Sequence, residues 1–259
     1  MRESSRRFTL TDLHHKEKLL QGFAGTAKAV ILAAGLGSRL GKPHPKALTV
    51  LASGKTILQH QLDNLERYFG RDDIFVVVGF KNDLVMEAAP HLGFVYNEAY
   101  DRTNTSKSLL RALRKLVGND VVWMNGDVVM DHEVLKRILH QPVSAVAVNT
   151  ASVGEEEIKY RIAPDGWISE ISKKVANGLG EAVGVNKVRA ADIPVFLQHL
   201  EQCEDQAYFE RAIELAAYDG LRFYPVDVTD LVCTEIDFVE DLERANRQLA
   251  QSNRPGRDE

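Results

Sequence analysis

The sequence has few cysteines, no long apolar run and no excess of basic residues, and each shortage excludes a class of protein. Only two of the 259 residues are cysteines, Cys203 and Cys233, and they lack the spacing of metal ligands. We therefore interpret them as buried free thiols in a reducing cytosol, with a disulfide between them as the alternative. No segment approaches the roughly 18 consecutive apolar residues that a membrane helix needs. The net charge of −5 argues against a general nucleic-acid binder.

The chain is organised as an N-terminal extension, one domain and a short polar tail. In the extension, residues 1–27, the basic residues Arg2, Arg6 and Arg7 are not followed by the apolar core of a secretory signal. We therefore expect a cytoplasmic protein. The domain is predicted over residues 28–250, with one half over 28–140 and the other over 141–250, and the tail over 251–259.

The first half of this domain alternates strands with helices, which predicts a doubly wound, mostly parallel α/β sheet. The predicted strands are 29–32, 74–78, 94–96 and 121–124, and the predicted helices are 57–69, 83–89 and one that begins at Thr105 or Ser106. The second half contains two alternating strands, 160–163 and 167–171, about a Pro-Asp-Gly turn. Such a hairpin predicts an antiparallel segment added to the sheet. Further strands at 144–150 and 222–226 and helices at 133–139, 193–202, 208–217 and 238–250 complete the prediction.

The most distinctive stretch runs over residues 30–48, where an apolar strand leads into glycines and then into cationic residues. Glycine lets the backbone approach a ligand closely, and backbone N–H groups with cations behind them suit a phosphate. Two common phosphate loops do not fit. Five residues separate Gly35 from Gly41, one more than a Walker A loop allows. The positions of Gly35, Gly37 and Gly41 also have one residue too many for a dinucleotide fingerprint.

The order Leu-Ala-Ala-Gly-x-Gly-Ser-Arg-Leu, followed by Pro-Lys-Ala-Leu, resembles the signature loop of nucleotidyltransferases that make CDP-, UDP- and dTDP-activated small molecules. The resemblance implies a Rossmann-like nucleotidyltransferase fold of the GT-A-like type. It implies that Lys46 stabilises charge at the α-phosphate and that Arg39 holds the leaving pyrophosphate. The implied nucleotide-binding residues are Leu32, Ala33, Ala34, Gly35, Gly37, Ser38 and Gly79. A glycine-rich turn with solvated cations is the alternative.

Two aspartates are candidate metal ligands. Asp127 follows an apolar strand at the sheet edge where ligands bind, and a carboxylate near a phosphate loop is placed to hold Mg²⁺. The alternative is that Asp127 caps the next turn. The acidic run 234–242 is an ordinary helix start in isolation. It resembles the Glu-x-Asp-x-x-Glu-Asp-Leu element of the same family, which implies that Asp237 is the second metal ligand.

The polar stretch 96–109 resembles choline-phosphate cytidylyltransferases of the LicC type, in which Tyr-Asn-Glu and a later Asn-x-x-x-Ser recur. The resemblance implies that Asn104 and Ser108 help to bind cytidine, and it extends to enzymes that cytidylylate 2-aminoethylphosphonate and inositol phosphate. A polar loop with a good helix cap is the alternative for part of this stretch.

We predict that residues 28–140 form the nucleotide-binding half and residues 141–250 the acceptor-binding half. The acceptor side is harder to interpret. Glu181 stands in a Gly-Glu-x-x-Gly element that resembles one found in this group, and it is either a partner for an acceptor ammonium or hydroxyl or an exposed loop acid. Tyr208 and Glu210 are candidates for an aromatic face and a charge around a cationic head group. Their alternative is a helix core with a solvated acid.

These patterns predict a CTP-dependent cytidylyltransferase that joins CMP to a small phosphorylated or phosphonate acceptor, such as phosphocholine or 2-aminoethylphosphonate. Pyrophosphate is the second product, and Mg²⁺ is the implied cofactor. Two alternatives stay open: a sugar-1-phosphate nucleotidyltransferase that uses UTP, dTTP or GTP, and an inactive nucleotide-sensing regulatory domain. We expect no nucleic-acid partner and no membrane insertion, and we leave the oligomeric state open between a monomer and a homodimer.

Overall fold

Apolar strands form the centre of the computed structural model, which describes residues 27–37, 40–41, 43–151 and 157–252. Two adjacent strands, β1 (Lys28–Ala33) and β2 (Ile74–Val78), consist almost wholly of apolar residues. Such strands suit a sheet that is covered on both faces. The predicted extension over residues 1–27 lies outside the described residues except for Ala27, and residues 253–259 of the predicted tail lie outside them too.

The remaining elements follow in chain order. The strands are β3 (Gly93–Tyr96), β4 (Val121–Asn125), β5 (Val128–Met130), β6 (Ala145–Asn149), β7 (Lys159–Ile162), β8 (Ile168–Ser172), β9 (Gly180–Val188), β10 (Tyr224–Asp227) and β11 (Cys233–Glu235). The helices are α1 (Ile57–Leu65), α2 (Asn82–Ala88), α3 (Thr105–Leu113), α4 (His132–Leu139), α5 (Ile193–Gln202), α6 (Phe209–Tyr218) and α7 (Val239–Ser252).

The main sheet has the strand order β10-β6-β9-β4-β1-β2-β3. Strands β4, β1, β2 and β3 are parallel, whereas β9 runs antiparallel to both β4 and β6. Strand β7 pairs with β8 and β9, which adds the predicted antiparallel hairpin to the sheet. A second, two-stranded sheet pairs β5 with β11. The predicted mostly parallel α/β fold with an added antiparallel segment is therefore confirmed.

Helices cover both faces of the sheet because successive side chains of each strand point to opposite sides. Ile31 of β1 packs in one core cluster with Leu58 and Leu62 of α1, whereas its neighbour Val30 packs in the other with Leu113 of α3. On that second face Trp123 stacks against Phe196, with ring centroids 5.8 Å apart. This cover on both faces is the doubly wound arrangement that the alternation of strands and helices predicted.

Some boundaries differ from the prediction. The helix predicted over residues 57–69 ends at Leu65. A turn follows, in which the N–H groups of Tyr68 and Phe69 both donate to the Leu65 carbonyl and both rings are buried. The cap of α3 is Asn104 rather than Thr105 or Ser106, since the Asn104 side chain accepts from the Thr105 N–H at 2.8 Å.

Two further expectations concern the cysteines and the membrane. Cys203 and Cys233 are both buried and free, so the interpretation as free thiols is confirmed over a disulfide. Within the described ranges, the structure contains no helix that is both long enough and apolar enough to span a membrane.

Candidate active site

The site lies where two parallel strands end side by side. Strand β1 leads into the glycine loop, and its neighbour β4 leads into Gly126 and Asp127. Gly126 donates its N–H to the Leu32 carbonyl at 2.9 Å, and a Cβ added at Gly126 would lie 2.8 Å from that oxygen. Only glycine allows this approach. The glycine at this position therefore brings Asp127 against the loop that was predicted to hold phosphate.

Asp237 reaches the same place through the small second sheet. Strand β5 begins directly after Asp127 and pairs antiparallel with β11, with Val128 opposite Glu235. The Ile236 N–H donates to the Asp127 carbonyl at 3.0 Å. The Asp241 carboxylate caps the start of α7 by accepting from the N–H groups of Asp237 and Phe238 at 3.1 and 2.8 Å. The Asp237 carboxylate is thereby left to face Asp127.

One ammonium group joins the two aspartates. Lys46, in a short 3-10 helix, donates from Nζ to Asp127 Oδ2 at 3.0 Å and also to Asp237 Oδ1. Its stem passes under the glycine loop, where Gly37 has a φ of +64° and an added Cβ would lie 2.8 Å from Lys46 Cγ. Burial would lower the pKa of Lys46, but the two carboxylates outweigh it and raise that pKa. Burial, with a smaller contribution from Asp237, raises the pKa of Asp127 despite the attraction of Lys46.

The two carboxylates fit a Mg²⁺ ion whose other ligands would be phosphate oxygens and water. Mg²⁺ prefers oxygen ligands, and it is commonly held by one or two carboxylates together with phosphate oxygens and water. Asp127 and Asp237 converge on a single cation, the Lys46 ammonium. Among the described residues there is no cluster of three or more histidine, cysteine or acidic side chains that would form an all-protein cage. The donor set thus suits a metal that is completed by the substrate.

A cleft of about 760 Å³ opens above Lys46 and the two aspartates. Its lining includes the glycine loop, the start of α3 and four glutamates, Glu157, Glu181, Glu210 and Glu235, whose part of the cleft we call the acidic end. The start of α3 adjoins this part, because the Phe209 N–H donates to Thr105 Oγ1 at 3.1 Å. The lining therefore combines backbone and polar groups with carboxylates.

Comparison with known proteins identifies the fold family. Residues 29–203, more than half of the chain, match the MobA-like NTP transferase domain. The chain belongs to this nucleotidyltransferase family. The predicted family resemblance is therefore confirmed. The prediction of a nucleotidyltransferase enzyme is confirmed as well, at the level of the family.

Among sequence relatives of this nucleotidyltransferase domain, the CMP-5'-(3-aminopropyl)phosphonate synthase of Streptomyces rubellomurinus is 32% identical over 243 residues. That match covers 85% of this chain and 38% of the relative. The bifunctional protein GlmU of Psychrobacter is 28% identical over 244 residues, which are 88% of this chain and 51% of GlmU. The chain thus spans about half, or less, of the length of these curated relatives.

Two solved structures show the same fold. The CTP:phosphocholine cytidylyltransferase LicC of Streptococcus pneumoniae superposes with a TM-score of 0.68 at 20% identity, covering 86% of this chain and 99% of that one. The inositol-1-phosphate CTP transferase from T. maritima gives a TM-score of 0.74 at 16% identity, covering 90% of this chain and 98% of that one.

The structure places the predicted nucleotide-binding residues of this nucleotidyltransferase domain in two groups. Those that line the cleft are Leu32, Ala33, Gly35, Gly37 and Asn104. Ala34, Gly79 and Ser108 are not among the lining residues. Ser108 is 5% exposed and accepts from Asn97 Nδ2 at 3.0 Å, and a Cβ at Gly79 would lie 2.7 Å from the Ala34 carbonyl oxygen. The second group therefore makes contacts between neighbouring chain segments rather than lining the cleft. The predictions for Ser38 and Arg39 lie outside the described residues.

All three predicted acceptor residues line the acidic end of the cleft. Glu181 is on β9, half-buried rather than on an exposed loop, and burial together with the nearby Glu157 charge raises its pKa to about 7. Glu210 is in the first turn of α6 and only 5% exposed, and burial raises its pKa to about 7 as well. Tyr208 is 39% exposed, with Lys173 Nζ 5.5 Å from its ring centroid, so it is not a core residue.

Glu235 is a candidate functional residue to which the sequence interpretation assigned no role. It accepts from Asn125 Nδ2 at 2.7 Å, and burial, followed by the Asp127 charge, raises its pKa well above the usual range. Gly184, with a φ of +72°, leaves space for its carboxylate, which an added Cβ would strike. The signal available in the sequence is its position in the acidic run 234–242, two residues before Asp237.

Proposed function

We propose that this domain is a CTP-dependent cytidylyltransferase that joins CMP to a small phosphate- or phosphonate-bearing acceptor and releases pyrophosphate. The observation that carries the proposal is the Lys46 ammonium shared by Asp127 and Asp237 on the floor of a cleft beside the glycine loop. A cation between two carboxylates beside a phosphate-binding turn has the charges that phosphoryl transfer needs.

CTP is the proposed nucleotide because several similar proteins carry cytidylyl names. The Streptomyces relative is named as a CMP-phosphonate synthase, and the two structural neighbours are named as enzymes that use CTP. Asn104 lines the cleft at the N-terminus of α3, where its amide can meet a base or a ribose. Buried Ser108 supports this loop through Asn97.

In the proposed reaction an oxyanion of the acceptor attacks the α-phosphorus of CTP in line. A new P–O bond forms as the bond to the bridging oxygen breaks, and pyrophosphate leaves with the electron pair. No general base is required, because the attacking oxygen is already deprotonated at neutral pH, so positioning and electrostatics supply the rate. Lys46 neutralises charge at the α-phosphate, and Arg39 with the glycine-loop amides holds the pyrophosphate. When bound by Asp127 and Asp237, Mg²⁺ supplies charge neutralisation between the two anionic substrates.

The acidic end of the cleft supports an acceptor that carries an amine as well as a phosphonate or phosphate. Glu181 and Glu210 are poorly solvated carboxylates, and a bound ammonium would stabilise their charged forms. Glu235, which accepts a hydrogen bond from Asn125, adds a third carboxyl group. A sugar 1-phosphate has no cation to offer these residues, so this end of the cleft disfavours the sugar-nucleotide alternative.

The test is pyrophosphate release with CTP, UTP, dTTP or GTP against paired acceptors. 2-Aminoethylphosphonate is compared with ethylphosphonate, which lacks only the amine, and phosphocholine and glucose 1-phosphate complete the panel. We expect turnover with CTP and an amine-bearing acceptor. Release with UTP or dTTP and glucose 1-phosphate alone would establish the sugar-nucleotide alternative, and CTP binding without release would establish the regulatory one.

The metal role of Asp127 is tested separately. D127N preserves the shape of the side chain while removing the charge that Lys46 and a metal would share. We expect a loss of about 10²–10³-fold or more in turnover. D72N, which alters an exposed carboxylate in a turn before β2, is the control and is expected to behave as wild type. Normal turnover in D127N would reject the role.

A further inference from the structure

Gln61 of α1 is completely buried and holds the chain on both sides of Asp127. Its Nε2 donates to the Asn125 carbonyl and to the Val128 carbonyl, each at 2.8 Å. One side-chain amide therefore uses both of its N–H donors on the two residues that flank the Gly126-Asp127 turn.

Neither carbonyl has an obvious partner in the sheets at this point. Asn125 lies opposite Leu32 of β1, whose carbonyl accepts from the Gly126 N–H, so the Asn125 carbonyl faces the side of β9. The pairing of β4 with β9 ends at Met124, one residue before Asn125. In the β5–β11 ladder the Asp127 carbonyl accepts from the Ile236 N–H. Hydrogen-bonded and non-hydrogen-bonded pairs alternate along an antiparallel ladder, so Val128 and Glu235 form a non-hydrogen-bonded pair. The Val128 carbonyl therefore points away from β11. Gln61 supplies both donors that the sheets do not.

The Gln61 amide also has an unfavourable feature that an apolar side chain would avoid. Its Oε1 is buried and has no hydrogen-bond partner among the described residues. Burial of an unpaired amide oxygen is destabilising, so packing alone favours leucine or methionine at this position. The glutamine is explained by the two donors rather than by the space that it fills.

We propose that Gln61 is a positioning residue that fixes the direction of the Asp127 carboxylate toward the metal and Lys46. The inference rests on the proposed function of the same site. The Asp127 carboxylate direction depends on the backbone dihedrals at Asp127, and these are set by the hydrogen bonds on either side of it. Groups that orient metal ligands in this way typically change metal affinity or activity by about 10–100-fold when they are removed.

The chain offers a matched control three residues along the same helix. Asn64 is also buried, and its Nδ2 donates to the Met130 carbonyl at 2.8 Å. Met130 is the last residue of β5, at the end farther from Asp127. Q61M and N64L each replace a buried carboxamide by an apolar side chain of similar size, but only Q61M frees the Asp127 turn.

The experiment measures kcat, KM for CTP and the half-saturating Mg²⁺ concentration, and also the rise in melting temperature that Mg²⁺ causes without substrate. We expect Q61M to lower kcat by about 10–100-fold, to raise the Mg²⁺ requirement and to reduce the Mg²⁺-dependent rise, with KM for CTP little changed. N64L should lose melting temperature by a similar amount while its kcat and Mg²⁺ requirement stay near wild type.

Each result distinguishes the inference from the proposed function. Wild-type kcat and Mg²⁺ requirement in Q61M would overturn the positioning role, and so would an equal loss of kcat in N64L. If the wild-type protein releases no pyrophosphate with any substrate, the proposed function fails while the Mg²⁺ melting shift still tests Gln61. Equal Mg²⁺ shifts in wild type, Q61M and N64L, or no shift at all, would then overturn the inference.

Discussion

Replacing Lys46 by methionine should change stability, metal response and turnover in different directions. Methionine keeps an aliphatic stem beneath Gly37 and removes the ammonium that Asp127 and Asp237 share. The two carboxylates then face each other without compensation. We expect K46M to be less stable than wild type, to be stabilised more by Mg²⁺ and to turn over more slowly.

The size of the stability loss follows from the geometry. Opposite charges at the 3.0 Å of Lys46 Nζ and Asp127 Oδ2 attract by about 5 kcal/mol at an effective dielectric of about 20, before desolvation. Removing one partner of a fully buried pair costs about 3–5 kcal/mol. Here solvent reaches all three side chains, which are 16% exposed in Lys46, 20% in Asp127 and 31% in Asp237. Solvent screening therefore reduces the expected loss in the free energy of unfolding to about 2 kcal/mol. For a domain of this size that is a fall of about 4–8 °C in melting temperature.

The assay combines melting curves at several Mg²⁺ concentrations with pyrophosphate release. Because K46M lacks the competing ammonium, its melting temperature should rise more with Mg²⁺ than that of wild type, while turnover should fall by about 10²–10³-fold. The control is K55M, which removes an exposed pair with Asp63 and should change stability by about 0.5 kcal/mol or less. A K46M protein with wild-type melting temperature, metal response and turnover would refute the reasoning.

Three further predictions concern other parts of the site. E210Q should make the free energy of unfolding depend less on pH. Because burial raises the pKa of Glu210 from 4.5 to about 7, ionisation of Glu210 should lower the free energy of unfolding of the wild type by about 3 kcal/mol as the pH rises through that window. Urea unfolding at pH 5 and pH 8 measures this difference. G184A should be less stable than G220A, since both have positive φ but only the Gly184 Cβ strikes the Glu235 carboxylate; equal melting temperatures would contradict this. N97A should raise KM for CTP with little change in kcat, because Asn97 fixes the loop that leads to α3.

Much of the fold was predictable because its elements satisfy local rules. The parallel strands are apolar runs, the hairpin of β7 and β8 carries its Pro-Asp-Gly turn, and the helices have apolar residues at helical spacing. The short strands β5 and β11 were not predicted. Each has only three residues, too few for a periodic pattern, and each is defined by its partner rather than by its own sequence.

The site shows the same division between local and distant information. The glycine loop, Lys46 and Asp127 stand out in the sequence because each belongs to a local motif, whereas only resemblance to a family linked Asp237 to Asp127. The physical link is the pairing of β5 with β11. This pairing brings together segments that are far apart in the sequence; Asn125 and Glu235, for example, are 110 residues apart. Gln61 gave no signal at all, since a glutamine on an amphipathic helix is normally a solvated residue.

Asn125 links the Asp127 turn to Glu235, and this connection limits how independently the metal site and the acceptor site can change. Its carbonyl accepts from Gln61, which anchors the Asp127 turn, while its side chain donates to Glu235 at the acidic end. A substitution that moves Glu235 to fit another acceptor therefore alters a hydrogen bond of the residue that precedes Gly126 and Asp127. Residues that share a hydrogen-bond network have non-additive effects. A change of acceptor through Glu235 should consequently alter the Mg²⁺ requirement as well, whereas a change through Tyr208, which lines the cleft but has no hydrogen bond to Asn125 or Glu235, should leave it unchanged.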